Sequence, residues 1–375
     1  MIQLRKVISA LFCFCFFNIV SWGIDSLEPI GIPADALITY RQDQNGLARD
    51  QILQRIQEAR KSIDFSAYQI KDPRIAEALK KKAQAGVSLR IIVEEVPYQH
   101  SFNKDGGQPA LLLSLMDAGV RIRGRSGVLK MKYPEGHNHA RYLIIDGQQL
   151  VLTTGNFDET TFDHCRDFAV VVNQNNQQEC LHFIESVFES DWNDKVAMIP
   201  DGNASIILGP EDQRKKIAQF LNTAKKKLQI YQQYCNDPKI ANLLVDLKKR
   251  GVDIQLLMMA YPTGYEKDPN KDTQDLLEKA GINVRLVSID DRIYMHARSI
   301  IIDDSKALVG TASLSPPSLD LNRELSLIIT GKAVTALGEQ FAKDWARSVS
   351  LAEGREASLK EKLDWNQIFF KDSNS

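Results

Sequence analysis

The sequence predicts an α/β protein made of two similar halves. Three observations support this: the chain has 375 residues, helix and strand patterns alternate along it, and several short motifs occur twice. At roughly 100–200 residues per domain, this length accommodates two units. Hydrophobic residues make up 43% of the chain and charged residues 25%. Such a composition is typical of a globular core and excludes disordered, collagen-like and coiled-coil proteins.

The charge balance argues against one class of function. The chain has 47 Lys and Arg residues against 48 Asp and Glu residues, a net charge of −1. Proteins whose main task is to coat nucleic acid usually have a clear basic excess. The near-neutral balance therefore disfavours that class, although local basic patches remain compatible with it.

Residues 1–23 predict an export signal. A basic start is followed by the apolar run Val7 to Val20, and the small residues Ser21 and Gly23 precede a cleavage site before Ile24. An uncleaved membrane anchor is the alternative, but the run is shorter than the ~20 residues that span a bilayer. We therefore expect an exported protein, either periplasmic or secreted.

Three cysteines remain after such processing, namely Cys165, Cys180 and Cys235. An odd number excludes a fully paired disulfide framework and allows at most one bridge. Their spacing matches no Cys/His metal site. The sequence thus predicts neither a metal nor another cofactor.

The repeat defines the domain organisation. Segment 72–76 (DPRIA) recurs as 237–241 (DPKIA), and Phe-x-x-Asp-Trp closes each copy at 188–192 and 341–345. A repeat of this kind indicates two copies of one structural unit. The predicted domains after the signal are 24–190 and 191–350, followed by a C-terminal tail at 351–375.

Within the first copy the elements alternate between helix and strand. Residue periodicity and the hairpin signal at Asp146-Gly147 predict helices at 51–61 and 73–85 and strands at 63–68, 88–94, 142–145 and 150–153. Alternation of this kind favours a mixed, largely parallel sheet covered by helices on both faces. Two such units would pack around a pseudo-two-fold axis. The segment 173–204 joins them, and the tail reads as a charged helix.

The polar residues with chemical potential belong to a duplicated histidine motif. His139-Ala-Arg141 recurs as His296-Ala-Arg298. Alternate residues of a strand share a face, so each motif aims an imidazole and a guanidinium at one spot. The remaining members that match between the copies are Asp146 and Asp303, Thr154 and Thr311, Asn156 and Ser313, and Asp167 and Glu324. Packing alone gives no reason for both copies to retain the same polar set.

These motifs resemble those of the phospholipase D superfamily, in which H-x-K-x4-D and a later Gly-Ser/Thr-x-Asn element occur twice. The resemblance extends from about residue 33 to 345. It implies two phospholipase D-like α/β/α sandwich domains related by a pseudo-two-fold axis. The sequence departs from the pattern at Arg141 and Arg298 in place of lysine, at Thr153 in place of glycine and at Ser313 in place of asparagine. Arginine keeps the charge, and its planar fork suits a phosphate.

The resemblance implies metal-free chemistry on a phosphodiester. His139 is the expected nucleophile, which forms a phosphohistidine, and His296 is the expected general acid and base. Their order is open because the two copies are nearly symmetric. Arg141 and Arg298 would stabilise the nonbridging oxygens, and the neutral donors would be Thr154, Asn156, Thr311 and Ser313.

The acidic residues of the motif are expected to have two roles. Asp167 and Glu324 are candidates to hold the imidazoles in the useful tautomer. Asp146 and Asp303 follow strands at turns, where a structural role is favoured over chemistry. The basic run Arg121 to Lys132 leads into His139 and is either a solvated face or one border of the cleft.

We expect an exported phosphodiesterase that hydrolyses phospholipid headgroups, with transfer to another alcohol as a variant. One alternative is a metal-independent endonuclease, and another is a decayed phospholipid-binding protein. A cardiolipin synthase is disfavoured because the remaining sequence shows no further membrane spans. The expected partners are a phospholipid or other phosphodiester substrate and a membrane surface touched peripherally, with the protein itself a monomer.

Overall fold

The computed structural model describes residues 31–41, 47–94, 107–125, 127–197, 205–259 and 267–361. The predicted export signal and the end of the tail lie outside the described residues, so these expectations stay predictions. In the described part of the chain, no helix is both long and apolar enough to cross a bilayer.

The described elements fall into two series with a similar order. The first contains β1 (Ile32–Pro33), β2 (Ala36–Thr39), α1 (Leu47–Glu58), β3 (Ser62–Ala67), α2 (Pro73–Gln84), β4 (Ser88–Val93), α3 (Gly107–Asp117), β5 (Arg121–Gly124), α4 (Gly127–Lys132), β6 (Tyr142–Ile145), β7 (Gln149–Thr153), α5 (Glu159–His164), β8 (Cys165–Arg166), β9 (Phe168–Asn173) and α6 (Gln178–Trp192). The second contains β10 (Ile206–Gly209), α7 (Gln213–Asn222), β11 (Lys227–Gln232), α8 (Pro238–Lys249), β12 (Asp253–Met258), α9 (Lys271–Lys279), β13 (Asn283–Leu286), β14 (Tyr294–Met295), β15 (Ser299–Ile302), β16 (Lys306–Gly310), α10 (Pro316–Asp320), β17 (Glu324–Thr330), α11 (Lys332–Arg347), β18 (Val349–Ser350) and α12 (Leu351–Glu361).

Each series forms one sheet with the same strand order. The first sheet runs β2-β9-β7-β6-β3-β4-β5, and β10-β17-β16-β15-β11-β12-β13 repeats it in the second. The prediction of a largely parallel sheet is wrong. Along these orders, parallel pairing is confined to β3-β4-β5 in the first sheet and β11-β12-β13 in the second. In the first sheet the hairpin β6-β7 is extended by the antiparallel strands β9 and β2. The α/β class with two similar sandwich domains is confirmed.

The predicted domain boundary stays a prediction, and two features cross it. Helix α6 continues to Trp192, beyond residue 190. Strand β1 lies near the start of the first half, yet it pairs with β17 of the second sheet, with Ile32 opposite Ile329. The two halves are therefore tied together by backbone hydrogen bonds as well as by packing.

The repeated Asp-Pro segment begins a helix in each half. The Asp72 carboxylate accepts hydrogen bonds from the N–H groups of Arg74 and Ile75, and the Asp237 carboxylate accepts from Ile240 N–H. Proline follows at the first helical position, where no N–H is needed. The motif is thus a helix start, in agreement with the sequence.

Within the described residues, the hydrophobic core has three parts. One cluster lies beneath α1 and α2 in the first half, and a second beneath α7 and α8 in the second half. A third, central cluster combines alternate residues of both sheets with residues of α6 and α11. The central cluster makes the two halves one packed body, in which a strand face of each half is buried by the other.

Asp146 and Asp303 occupy matching turns. Both have positive φ angles, 57° and 51°. The Asp146 carboxylate accepts from the N–H groups of residues 60–62, and that of Asp303 from residues 225–227. Although partial burial opposes it, these backbone donors lower the pKa of both carboxyl groups. They fix the start of β3 and β11, which is the structural role expected from the sequence.

The three cysteines of the described chain, Cys165, Cys180 and Cys235, are free and buried. Burial raises the pKa of the Cys180 thiol to about 12 and that of Cys235 to about 12. They are therefore packed as small apolar side chains.

Candidate active site

The two histidine motifs meet where the halves exchange backbone contacts. Strand β8 of the first half pairs with β14 of the second, and Asn138 forms a bridge with Arg323. His139 N–H donates to the Arg323 carbonyl over 2.9 Å, and His296 N–H donates to the Arg166 carbonyl over 3.3 Å. Each histidine is therefore held by the main chain of the opposite half.

The carboxylates that hold the imidazoles also cross between the halves. Nδ1 of His139 lies 2.8 Å from Oε1 of Glu324, and Nδ1 of His296 lies 2.9 Å from Oδ2 of Asp167. Because a carboxylate only accepts, Nδ1 carries the hydrogen in both rings. This leaves each Nε2 with its lone pair towards the arginine of its own motif.

The carboxylates are themselves fixed by hydroxyl groups. The Ser318 hydroxyl donates to Glu324 over 2.5 Å, and the Thr154 hydroxyl donates to Asp167 over 2.5 Å. Both carboxylates are fully buried. The tautomer of each imidazole is thus determined by a rigid chain of hydrogen bonds.

Both imidazoles are neutral near pH 7. Burial, followed by the charge of Arg141, lowers the pKa of His139 to about 3. Burial, followed by the charge of Arg298, lowers the pKa of His296 to about 4. The carboxylates act in the opposite direction but do not compensate. A neutral imidazole has the free lone pair that a nucleophile needs.

The two guanidinium groups converge on one carbonyl. Nη1 of Arg141 lies 3.4 Å from the Thr154 oxygen, and Nη1 of Arg298 lies 2.9 Å from the same atom. Nη2 of Arg141 is 2.6 Å from Nε2 of His139, and Nη2 of Arg298 is 3.2 Å from Nε2 of His296. The structure therefore brings both imidazoles and both arginines together, as the sequence predicted.

The four expected phosphate donors lie behind the arginines. Nε of Arg141 donates to Asn156, and Nε of Arg298 donates to Ser313, its counterpart. Thr311 Oγ1 accepts from Leu325 N–H, much as Thr154 Oγ1 accepts from Phe168 N–H. All four side chains are buried. In this structure they support the arginines and the strands, and direct contact with a phosphate stays a prediction.

Two residues that contact the arginines were missed by the sequence analysis. The Tyr68 ring lies 5.1 Å from the His139 ring and 5.6 Å from the Arg141 guanidinium carbon. At the matching position after β11, Gln233 accepts from Nη2 of Arg298 over 2.6 Å. Both residues lie at the matching position just before the repeated Asp-Pro segment, and this position could have identified them. Tyrosine and glutamine are chemically unlike, however, so the two copies did not stand out as a repeated pair.

The basic run before His139 divides into two parts. Arg121 and Arg123 lie over the Trp192 ring at 5.9 and 5.7 Å, at the end of α6. Lys130 and Lys132 are exposed on α4, on either side of Met131, which is 78% exposed. Arg121 is exposed as well, so cations of both parts face solvent.

Glu94 is a further buried acid near the first motif. Its Oε2 accepts from Asn138 N–H over 2.6 Å, and its Oε1 lies 3.8 Å from Nδ1 of His137. This contact pairs His137, whose side chain is 30% exposed, with the buried Glu94. Within the described ranges, no group of three or more His, Cys, Asp or Glu residues is arranged to hold a metal ion.

Comparison with known proteins identifies the family. The family profile described as "Cardiolipin synthase, PLD-like domain" matches residues 52–192 and 217–345. A cardiolipin synthase of Clostridium perfringens is 24% identical over 346 residues, which cover 80% of this chain and 69% of the relative. A cardiolipin synthase of Staphylococcus aureus is 22% identical over 360 residues, covering 82% and 67%.

A solved structure shows the same fold. The phosphatidylserine synthase of Haemophilus influenzae has a TM-score of 0.64 at 14% identity, and the match covers 86% of this chain and 90% of that one. The expectation that disfavoured a cardiolipin synthase is thus wrong at the level of the family, because proteins of that name match along both halves. The two matched segments cover most of the chain and contain both histidine motifs. The protein therefore belongs to the phospholipase D-like family whose description names cardiolipin synthase.

Proposed function

We propose that this protein cleaves the headgroup phosphodiester of a phospholipid through a phosphohistidine and passes the phosphatidyl group to water or to an alcohol. One observation carries the proposal. Two neutral imidazoles, each fixed at Nδ1 by a buried carboxylate of the opposite half, present Nε2 beside two converging arginines. Such a constellation provides a nucleophile, a proton carrier and a binding place for a phosphate.

In the first step Nε2 of His139 attacks phosphorus. The P–N bond forms while the P–O bond to the leaving alcohol breaks, and protonated His296 gives its Nε2 proton to that oxygen. Arg141 and Arg298 stabilise the negative charge that gathers on the nonbridging oxygens. Glu324 stabilises the positive charge that develops on the His139 ring.

Binding of the substrate promotes the protonation of His296 that this step requires. Burial and then the charge of Arg298 lower the pKa of His296 to about 4. An anionic phosphodiester between the arginines offsets their positive charge and therefore raises this pKa. Substrate binding therefore favours the uptake of a proton by His296.

In the second step His296 acts as a base. It takes a proton from the acceptor hydroxyl, whose oxygen forms a new P–O bond as the P–N bond to His139 breaks. Water as the acceptor gives phosphatidic acid, and an alcohol gives a new phosphodiester lipid. The two acceptors compete for one intermediate, so hydrolysis and transfer share the same residues.

The substrate class is supported by the sequence relatives. Proteins named cardiolipin synthase match along both halves, and their name denotes the synthesis of a phospholipid. The exposed Lys130, Met131 and Lys132 on α4 support peripheral contact with an anionic membrane close to the site. Export, which depends on residues 1–23, forms part of the proposal.

The test uses the purified full chain with vesicles of mixed phospholipids, with and without glycerol, and separately with DNA and RNA. We expect phosphatidic acid or a transferred lipid, unaffected by EDTA and absent with His139→Ala. Cleavage of nucleic acid alone would instead support the endonuclease. Vesicle binding without turnover would support the decayed binding protein.

A further inference from the structure

An arginine precedes each carboxylate that holds an imidazole. Arg166 precedes Asp167, and Arg323 precedes Glu324. Both side chains are buried, with exposed fractions of only 1% and 3%. A buried guanidinium without a carboxylate is strongly unfavourable, and each of these arginines has a carboxylate partner.

Arg323 connects the end of α6 to His139. Its Nη2 lies 2.8 Å from Oδ1 of Asp191, and its Nη1 lies 2.7 Å from Oε2 of Glu211. Its main-chain oxygen accepts from His139 N–H, and its N–H donates to the His137 carbonyl. One residue therefore joins an ion pair at its side chain to the nucleophile motif at its backbone.

Arg166 makes the matching connection from α11 to His296. Its Nε and Nη2 donate to Asp344 over 2.9 and 3.0 Å, a two-point contact. Its main-chain oxygen accepts from His296 N–H over 3.3 Å. The Tyr231 hydroxyl also donates to Asp344, over 2.7 Å, which fixes the carboxylate from a second side.

The two aspartates are the same residue of the repeated Phe-x-x-Asp-Trp motif. Asp191 lies at the end of the first copy, and its ion pair crosses to the second half. Asp344 lies at the end of the second copy, and its ion pair crosses to the first. We infer that Asp191 and Asp344 are positioning residues, which through Arg323 and Arg166 set the position of Glu324 and Asp167 against the imidazoles.

Each arginine couples its ion pair to one imidazole through two contacts. Its carbonyl holds the histidine main chain, and the carboxylate that follows it holds the histidine ring. Moving the guanidinium therefore moves both contacts of one imidazole. The crossing makes a specific prediction: Asp191 acts on His139, and Asp344 acts on His296.

Neutralisation of the two aspartates should have effects of different size. Arg323 keeps a second carboxylate, Glu211, when Asp191 is neutralised. For Arg166 the other described acceptors are the carbonyl oxygens of Tyr40 and Arg41. Asp344→Asn is therefore expected to have the larger effect.

The test observes the imidazoles directly. In protein labelled with ¹⁵N at histidine, the Nδ1–H resonances of His139 and His296 are assigned by their loss in the alanine variants. Asp191→Asn should shift or broaden the His139 resonance only, and Asp344→Asn the His296 resonance only. The inference rests on the proposed roles of the histidines, but this measurement needs no substrate and so fails or succeeds independently of them.

Matched controls exist in both halves. Arg49–Asp72 and Arg214–Asp237 are also duplicated, largely buried ion pairs, at 2.6 and 2.8 Å, but they lie at the starts of α2 and α8. Asp72→Asn and Asp237→Asn should leave both imidazole resonances unchanged. Equal shifts of both histidines in all four variants would indicate general loosening and overturn the inference, as would no shift in Asp344→Asn.

Kinetics give a second measurement. With the lipid substrate, we expect kcat to fall about 10–100-fold in Asp344→Asn, the range found for partners that orient metal-bound histidines, and less in Asp191→Asn. KM should change little, because neither aspartate touches the arginines of the motif. A rise in KM with unchanged kcat would contradict a positioning role.

Discussion

The two copies of the histidine motif are held in different ways. Arg298 donates to Ser313, Thr154, Gln233 and the His296 carbonyl, so it is anchored by oxygen atoms of both halves. Arg141 lies against the Tyr68 ring and donates to Asn156 and, over the longer distance of 3.4 Å, to the same Thr154 oxygen. The His139 side chain is also more exposed, at 16% against 8% for His296.

This difference distinguishes two chemically equal histidines. The more accessible ring, beside an arginine packed on an aromatic face, suits attack on an incoming phosphorus atom. The more buried ring, beside a fixed arginine, suits repeated transfer of a proton. The comparison thus supports His139 as nucleophile and His296 as acid and base, and the following predictions test it in order of expected effect.

The largest effect is expected from removing either imidazole. His139→Ala and His296→Ala should each lower turnover by at least ~10², because attack and proton transfer occur in the same step. With lipid labelled at phosphorus and an alkaline quench, His296→Ala should still hold label on the protein, whereas His139→Ala should hold none. Label retained by His139→Ala would reverse the assignment.

The arginines should respond unequally to lysine. Arg298→Lys leaves several buried acceptors without their donor and should destabilise the fold by about 2 kcal/mol or more, measured by urea unfolding. Arg141→Lys should cost less stability. Activity should fall in both, since lysine loses the two-point contact with phosphate. If the double lysine variant instead gains turnover over an inactive parent, the site is a decayed one.

Acid should destabilise the protein through both imidazoles. Their pKa values are lowered to about 3 for His139 and about 4 for His296. Below the unfolded value near 6.5, the unfolded chain binds protons that the folded site refuses, so stability falls as the pH falls. Each histidine lowers the free energy of unfolding by about 1.4 kcal/mol for each pH unit of acidification. This loss continues to about pH 4 for His296 and about pH 3 for His139. Urea unfolding of His296→Gln between pH 7 and 4 should show a slope reduced by that amount.

Substitutions of the residues beside the two arginines should reveal a further difference between the halves. Gln233→Leu removes a 2.6 Å acceptor from a buried guanidinium, and we expect kcat to fall about tenfold. Tyr68→Leu removes a cation–π contact worth about 0.5–1 kcal/mol, so a fall of only about threefold is expected. Steady-state kinetics of the two variants check this order, and a larger loss at Tyr68 would mean that the first arginine depends more on its surroundings.

The smallest effect should concern membrane contact. Lys130 and Lys132 precede the first motif, whereas Asp290 and Asp291 precede the second. Lys130→Glu with Lys132→Glu should weaken binding to anionic vesicles, by about 1 kcal/mol for each lysine removed, and more at low salt. Asp290→Asn with Asp291→Asn serves as the control, and sedimentation with vesicles measures both. Equal binding by the lysine variant would exclude α4 as the contact.

The repeat made much of this architecture predictable. It placed His139, Arg141, His296 and Arg298 in one site, and the Asp-Pro segment located two helix starts correctly. Strand direction was not predictable, because an apolar run pairs equally well in either direction and only the return from the hairpin decides. The crossing of Glu324 to His139 also depends on docking between the halves, which no local pattern records.

The roles of Tyr68 and Gln233 were hidden for a different reason. A repeat reveals the positions at which the copies agree, whereas these two residues matter because they differ. Likewise, Phe-x-x-Asp-Trp was recognised as a repeat, but its aspartates act on the opposite half, more than a hundred residues away along the chain.

The crossed carboxylates also determine when the chain first becomes an enzyme. Glu324 follows His139 by 185 residues. At a synthesis rate of about 5–20 residues per second, the first histidine waits roughly 10–40 s for its carboxylate. A nascent chain that has completed its first sheet still lacks the partner that orients His139. Reactivity towards lipid therefore begins only after the second sheet has been made, late in synthesis.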